Sequence, residues 1–128
     1  MEAQKEAFAL KYIEIAQDRF ERFRQDLSTD KDQAAATHAF ESCFRLAWAL
    51  MQRVLHYHGL QCYSPRETFR KAAKDGLIND PEVWFEFLNR RNLSAHTYGI
   101  SDQDSLIAIF DQFSIELARL ISNVEQLK

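Results

Sequence analysis

Apolar side chains recur every three to four residues along this chain, and no segment alternates apolar and polar residues over a useful length. Such spacing places side chains on one face of an α-helix, whereas a strand needs a period of two. One stripe consists of Ala36, Phe40, Phe44, Ala47, Trp48, Met51 and Leu55. Another consists of Leu106, Ile109, Phe110, Phe113, Leu117, Leu120 and Val124. The pattern predicts an all-α fold, an up-down bundle of four to five helices.

Local signals indicate where the second and third helices begin and end. Residues 28–32 contain several N-cap candidates, and Gly59 can end the second helix without the steric penalty of a Cβ atom. Ser64 and Glu67 form a capping-box pair around Pro65, which suits the first helical position. We therefore expect a tight connection before the second helix and a short third helix.

The later helices have weaker boundary signals. Asp80 before Pro81 predicts the start of a helix that runs toward His96. Ser101 together with Asp104 predicts the cap of one last, long helix.

The first segment also has a helical stripe, in which Arg19 is the one polar residue. Its apolar members are Phe8, Tyr12, Ile15, Phe23 and Leu27. We expect this stripe to face the core. The 10 Phe and 2 Trp exceed what a few short helices need for a monomeric core, so some aromatic residues are expected in a homodimer interface. The alternative is a monomer with a crowded core.

Composition restricts the class of protein. With 128 residues, 46% of them hydrophobic, the chain can bury one core, and we expect residues 1–128 to form a single helical domain. The uncharged runs are shorter than the roughly 18 residues that span a bilayer, and the acidic N-terminus does not resemble a signal peptide. Cys43 and Cys62 have no CxxC spacing, which favours free thiols in a reducing compartment. We expect a cytoplasmic protein that does not bind membranes.

The net charge of −3 argues against non-specific coating of nucleic acid, but the charges are unevenly distributed. Within residues 45–74, six cationic side chains stand against Glu67 alone. Four of these cations belong to the short third helix: Arg66, Arg70, Lys71 and Lys74. This segment can attract nucleic acid or an acidic partner, and it can equally be a solvated helix face.

A second group of polar residues lies near the end of the fourth helix. An imidazole such as His96 can exchange a proton at neutral pH, and a guanidinium such as Arg91 can hold a phosphate. Asn92 lies four residues before His96, so on a helix the amide can orient the imidazole. These groups suffice for metal-free cleavage of RNA, although composition alone favours a polar helix end with a structural histidine.

The spacing between Arg91 and His96 raises a geometric problem. Five residues correspond to about 140° around an ideal helix, so one helix cannot direct both side chains at one phosphate. Either the helix ends or distorts before His96, or two copies of the motif meet across a dimer axis.

The other histidines have simpler interpretations. His56 and His58 lie at a helix C-terminus, where cations are favourable. His38 is interpreted as a surface residue. No spacing supplies a recognisable metal site, and we expect no metal and no cofactor.

The segment Arg91-Asn92-Leu93-Ser94-Ala95-His96-Thr97-Tyr98 resembles the R-x4-H-x-Y signature of the HEPN superfamily, and within it the HepT-like branch, the nucleotidyltransferase substrate-binding proteins. The similarity extends to the Leu46-Ala47-Trp48 step, the capped short helix and a Gly76-Leu77-Ile78 turn. Members often have Ser before the histidine and an acidic pair after the tyrosine. Here Ala95 precedes His96, and Gly99 and Ile100 follow Tyr98.

The resemblance implies a helical bundle that dimerises so that both motifs line one cleft, where RNA or a nucleotide binds. It implies that Arg91 and His96 are ribonuclease residues, with Asn92 as support. The implied partner is a minimal nucleotidyltransferase that acts as an antitoxin by transferring AMP to Tyr98. The alternative is a non-catalytic subunit that binds a substrate or nucleotide for that nucleotidyltransferase.

Overall fold

The computed structural model describes residues 8–96 and 100–127, and it gives side chains for residues 8–93 and 103–127. Six helices are described: α1 (Leu10–Phe23), α2 (Asp30–Tyr57), α3 (Pro65–Lys74), α4 (Pro81–His96), α5 (Ile100–Ile107) and α6 (Phe110–Glu125). No strand occurs in this part of the chain. The predicted all-α helical bundle is confirmed.

The predicted helix boundaries depend on side-chain caps that the structure contains. Thr29 Oγ1 accepts a hydrogen bond from the Asp32 amide at 3.1 Å, and Ser64 Oγ accepts one from the Glu67 amide at 3.2 Å. Asp80 Oδ1 accepts from the Glu82 amide at 2.9 Å. Gly59 lies after the end of α2 with φ 83°, a conformation that glycine adopts without strain.

The last predicted helix is two helices, so the expectation that Ser101 and Asp104 cap one long helix is wrong. Position 101 falls within α5, and α6 begins separately at Phe110. The reason is tertiary: Arg90 Nη1 donates to the Ser105 carbonyl at 2.8 Å, and Gln103 donates to Gln33 at 2.9 Å. These contacts fix α5 against α4 and α2 and outweigh the continuous apolar pattern.

The predicted core stripe of the first segment is also wrong in part, because Phe8 and Leu27 pack into the core but Tyr12, Ile15 and Phe23 do not. Tyr12 and Ile15 are 56% and 59% exposed, and the face that packs inward carries Leu10, Ile13 and Phe20. Phe20 decides this orientation because its ring lies 5.1 Å from Phe110 and 5.5 Å from Phe113.

Aromatic rings fill the centre of the bundle. All phenylalanines except Phe23 are buried, and Phe40 and Phe113 lie 4.6 Å apart. Trp84 on α4 lies 5.2 Å from Phe87. These buried rings therefore pack within one subunit, and their number gives no support to the predicted subunit interface.

Both cysteines are free thiols. Burial raises the pKa of the Cys43 thiol to about 12, so it is inert toward alkylation at neutral pH. No helix in the described part of the chain combines the length and apolar character that crossing a bilayer requires.

Candidate functional site

Helix α4 carries the Arg91–His96 motif without an interruption, because it remains helical from Pro81 to His96. The spacing of Arg91 and His96 left two alternatives: a helix that ends or distorts before His96, or two copies of the motif that meet across a dimer axis. The structure does not show a helix that ends before His96. Positions 91 and 96 therefore lie about 140° apart around α4. The side chain of His96 and the whole of Tyr98 lie outside the described residues.

The Arg91 side chain is held against α2 by Glu41. Its Nε donates to the two carboxylate oxygens at 3.1 and 2.9 Å, and Nη2 donates to Oε1 at 2.6 Å. The guanidinium carbon lies 5.7 Å from the ring centroid of Phe44, which is fully buried. One edge of the guanidinium is thus fixed by a carboxylate and one face by an aromatic ring.

This ion pair is only partly exposed, with 26% of the Arg91 side chain and 33% of the Glu41 side chain accessible. The hydrogen bonds from Arg91 to Glu41 raise the pKa of Arg91 further above its usual range and outweigh the opposing effect of burial. Arg45 lies 3.9 Å from the same carboxylate. The three charges Arg45, Glu41 and Arg91, which we call the charge trio, therefore sum to one positive charge.

Among the side chains that the structure describes, the remaining guanidinium nitrogen of Arg91 has only a weak partner. Nη1 donates to Asn92 Oδ1 at 3.4 Å, near the limit of a hydrogen bond. Glu41 occupies Nε and one N–H of Nη2, so Nη1 is the guanidinium nitrogen that is most available to donate to an incoming anion.

A cavity of about 380 Å³ opens beside Arg91 and Glu41, between α2, α4 and α5. We call it the Arg91 pocket. It is lined by Ala34, Thr37, His38, Glu41, Arg91, Gln103 and Leu106. The hydroxyl oxygen of Thr37 is buried, and it has no hydrogen-bond partner among the described residues. The cavity thus brings the paired charges of Arg91 and Glu41 together with the exposed side chain of His38.

The four basic residues predicted on α3 divide into different environments. Arg66 and Arg70 stack on one ring, with guanidinium carbons 5.3 and 5.2 Å from the centroid of Phe85. Arg66 also donates to Asn89 Oδ1 at 2.8 Å. These contacts join the two arginines to α4, the helix that carries the motif.

The two lysines do not share that arrangement. Lys71 donates to the Gln61 carbonyl and lies 3.4 Å from Glu67 Oε1, so it is engaged in local contacts. Lys74 is exposed at the end of α3. Of the four basic residues of α3, Arg66 and Arg70 are thus the two whose side chains contact α4, the helix that carries the motif.

The remaining histidines fit their sequence interpretations. His58 Nδ1 lies 2.6 Å from Asp75 Oδ2, and His38 and His56 are exposed. In the described ranges no group of three or more His, Cys, Asp or Glu side chains is arranged to hold a metal ion.

Sequence reasoning missed Glu41, which sets the position of Arg91 from fifty residues away. The available signal was a carboxylate between Phe40 and Phe44, in the middle of a long apolar stripe. A partly buried carboxylate beside such a stripe is stabilised by a cationic partner, but the periodic pattern does not identify which cation that is.

Comparisons with known proteins agree with this fold. The family described as "Nucleotidyltransferase substrate binding protein like" matches residues 9–126. A relative from Haemophilus influenzae, named "Probable ribonuclease HepT", is 30% identical over 101 residues, which cover 73% of this chain and 67% of that protein.

Two solved structures superimpose on most of the chain. A Thermus thermophilus protein has a TM-score of 0.82 at 20% identity, covering 89% of this chain and 99% of that one. A Haemophilus influenzae protein, described as having the fold of a substrate binding domain of a nucleotidyltransferase, has a TM-score of 0.71 at 26% identity and covers 98% of both chains. The chain belongs to the HepT-like family of nucleotidyltransferase substrate-binding proteins.

Proposed function

We propose that this chain is a HepT-like ribonuclease, the toxin of a cytoplasmic toxin-antitoxin pair, which cuts RNA without a metal at a site shared by two subunits. The observation that carries the proposal is the arrangement of Arg91 at the wall of the Arg91 pocket. Glu41 fixes its orientation and Nη1 remains available for a phosphate oxygen. The name of the Haemophilus influenzae relative supports the reaction class.

In the proposed reaction, Arg91 stabilises the negative charge that gathers on the phosphate oxygens. His96 either accepts the proton of the ribose 2′-hydroxyl or donates one to the leaving oxygen. Asn92 supports these groups from the same helix. Because a carboxylate already holds Arg91, the guanidinium needs no reorganisation when the phosphate arrives.

The geometry of α4 supports a dimer. Position 96 lies about 140° from position 91, so Arg91 of one subunit meets His96 of a second subunit more readily than its own. Leu93, between them, is 54% exposed, which suits an apolar contact between subunits.

Arg66 and Arg70, linked to α4 through Phe85 and Asn89, extend the cationic surface along which RNA binds.

The test of the proposal is the substitution His96→Ala in the purified protein. We expect loss of RNA cleavage by at least about 10²-fold, because an essential proton-transfer group is removed while the helical circular dichroism signal is retained. The measurement is cleavage of single-stranded RNA or tRNA in the presence of a chelator.

The matched control is His56→Ala, which removes an exposed histidine at the far end of α2, beside a separate cavity lined by Phe8 and Tyr57. It should cut at the wild-type rate. Undiminished cleavage by His96→Ala would exclude this ribonuclease site.

A second candidate function is a non-catalytic subunit that binds a nucleotide or substrate for a nucleotidyltransferase. The family description and the Haemophilus influenzae structure favour it, since both name substrate binding. In this case the Arg91 pocket binds the nucleotide, and the chain forms a stable complex with the nucleotidyltransferase without degrading RNA.

The regulation that we propose for the first function is AMP transfer to Tyr98 by a minimal nucleotidyltransferase. The adenylate adds a phosphate and a base close to the motif, which blocks RNA by volume and by like charge. Incubation with ATP and the partner should add about 329 Da to the chain and abolish cleavage, as a covalent modification detected by mass spectrometry. Tyr98→Phe should escape both effects, whereas Tyr63→Phe, which changes an exposed tyrosine on the loop before α3, should not. Adenylation of Tyr98→Phe would contradict this assignment.

A further inference from the structure

His38 lines the same pocket as Arg91. It projects from α2 one turn before Glu41, its side chain is exposed, and together with Thr37 and Arg91 it lines the Arg91 pocket. No other histidine with a described side chain lines this cavity. Among the described side chains of one subunit, the imidazole that shares a cavity with the candidate phosphate-binding guanidinium is therefore His38.

The packing of α2 against α4 places His38 toward the motif end of α4. Phe44 on α2 contacts Trp84, with ring centroids 6.4 Å apart. Glu41, one turn earlier on α2, contacts Arg91, two turns later on α4. The two helices are therefore antiparallel, and position 38 lies beyond Glu41 in the direction in which α4 continues to His96.

Cleavage of RNA without a metal requires two proton transfers. The 2′-oxygen attacks phosphorus and the bond from phosphorus to the 5′-oxygen breaks, giving a 2′,3′-cyclic phosphate and a 5′-hydroxyl. One group accepts the 2′-hydroxyl proton and another donates a proton to the 5′-oxygen, so the reaction consumes no other reagent. In a site that takes Arg91 from one subunit and a single His96 from the other, that His96 can perform only one of these transfers at a time.

We propose that His38 is the second proton-transfer group of this site and acts on the same phosphodiester that Arg91 binds. The inference rests on the proposed ribonuclease function. The charged groups that face the Arg91 pocket beside His38 are Glu41 on α2 and Arg91 on α4, while α5 contributes the neutral Gln103.

The first experiment measures kcat and KM for RNA cleavage by His38→Ala, with His56→Ala as the control on the same helix. We expect kcat to fall by about 10²-fold for His38→Ala with little change in KM, because His38 is exposed and its loss removes proton transfer and not folding. The control keeps the wild-type kcat. An unchanged kcat for His38→Ala overturns the inference while leaving the proposed function intact.

The second experiment separates proton transfer from any structural effect. A substrate whose 5′-bridging oxygen is replaced by sulfur has a leaving group that needs no proton. If His38 and His96 divide the two transfers, this substrate restores cleavage to only one of the variants His38→Ala and His96→Ala. Restoration of both, or of neither, overturns the inference. A wild-type protein that cuts no RNA overturns the proposed function itself, and the two failures are thus distinguishable.

Discussion

Mixing two inactive variants, Arg91→Ala and His96→Ala, is expected to restore RNA cleavage. If each site takes Arg91 from one subunit and His96 from the other, a mixed dimer has one site with both residues intact. Random exchange makes half of the dimers mixed with one of two sites working, so activity returns to about one quarter of the wild-type value. The measurement is cleavage rate against the ratio of the two variants, after subunit exchange.

The reason lies in α4, which remains helical through both residues and sets them on different sides. A site contained in one subunit would show no recovery at any ratio, since every site would lack one residue. Leu93→Glu in both variants is the control for the interface. It places a charge at the contact that we propose for dimerisation. Recovery of RNA cleavage should then disappear, and light scattering should show that the dimer is lost.

Replacement of Phe113 by alanine is expected to cause the largest loss of stability. Phe113 on α6 is fully buried, with ring centroids of Phe20, Phe40, Trp84 and Phe87 within 4.6–5.9 Å. The change removes one ring from the contact of four helices and leaves a cavity, which costs about 3–5 kcal/mol. For a domain of this size, that lowers the unfolding midpoint by roughly 10–20 °C.

The measurement is thermal unfolding by circular dichroism at one protein concentration, because a dimer's midpoint depends on concentration. Ile115→Ala is the matched control: it lies two residues further along α6 and is half exposed, so it should change stability by less than about 1 kcal/mol. Equal losses for the two variants would contradict the central role of the Phe113 ring cluster.

Much of the fold could be predicted from helical periodicity and from caps, because both are local. Ser64 and Thr29 cap their helices as predicted. The inward face of α1 could not be predicted, because Tyr12 and Ile15 form one apolar stripe and Leu10 and Ile13 another. Only the packing of Phe20 against rings from α2 and α6 selects between them.

Less of the candidate site than of the fold could be predicted from the sequence. Resemblance to a family motif identifies Arg91, Asn92 and His96, but the partner of Arg91 is fifty residues away, on another helix. The sequence predicts His38 as a surface residue, and its exposure is confirmed. Its place beside Arg91 depends on the register of α2 against α4, which no local pattern encodes.

The charge trio of Arg45, Glu41 and Arg91 has a consequence for how strongly this surface attracts a polyanion. Glu41 cancels one of the two guanidinium charges, so the trio presents a single excess positive charge. The attraction between this surface and RNA should accordingly depend less on salt concentration than that of two unpaired arginines would.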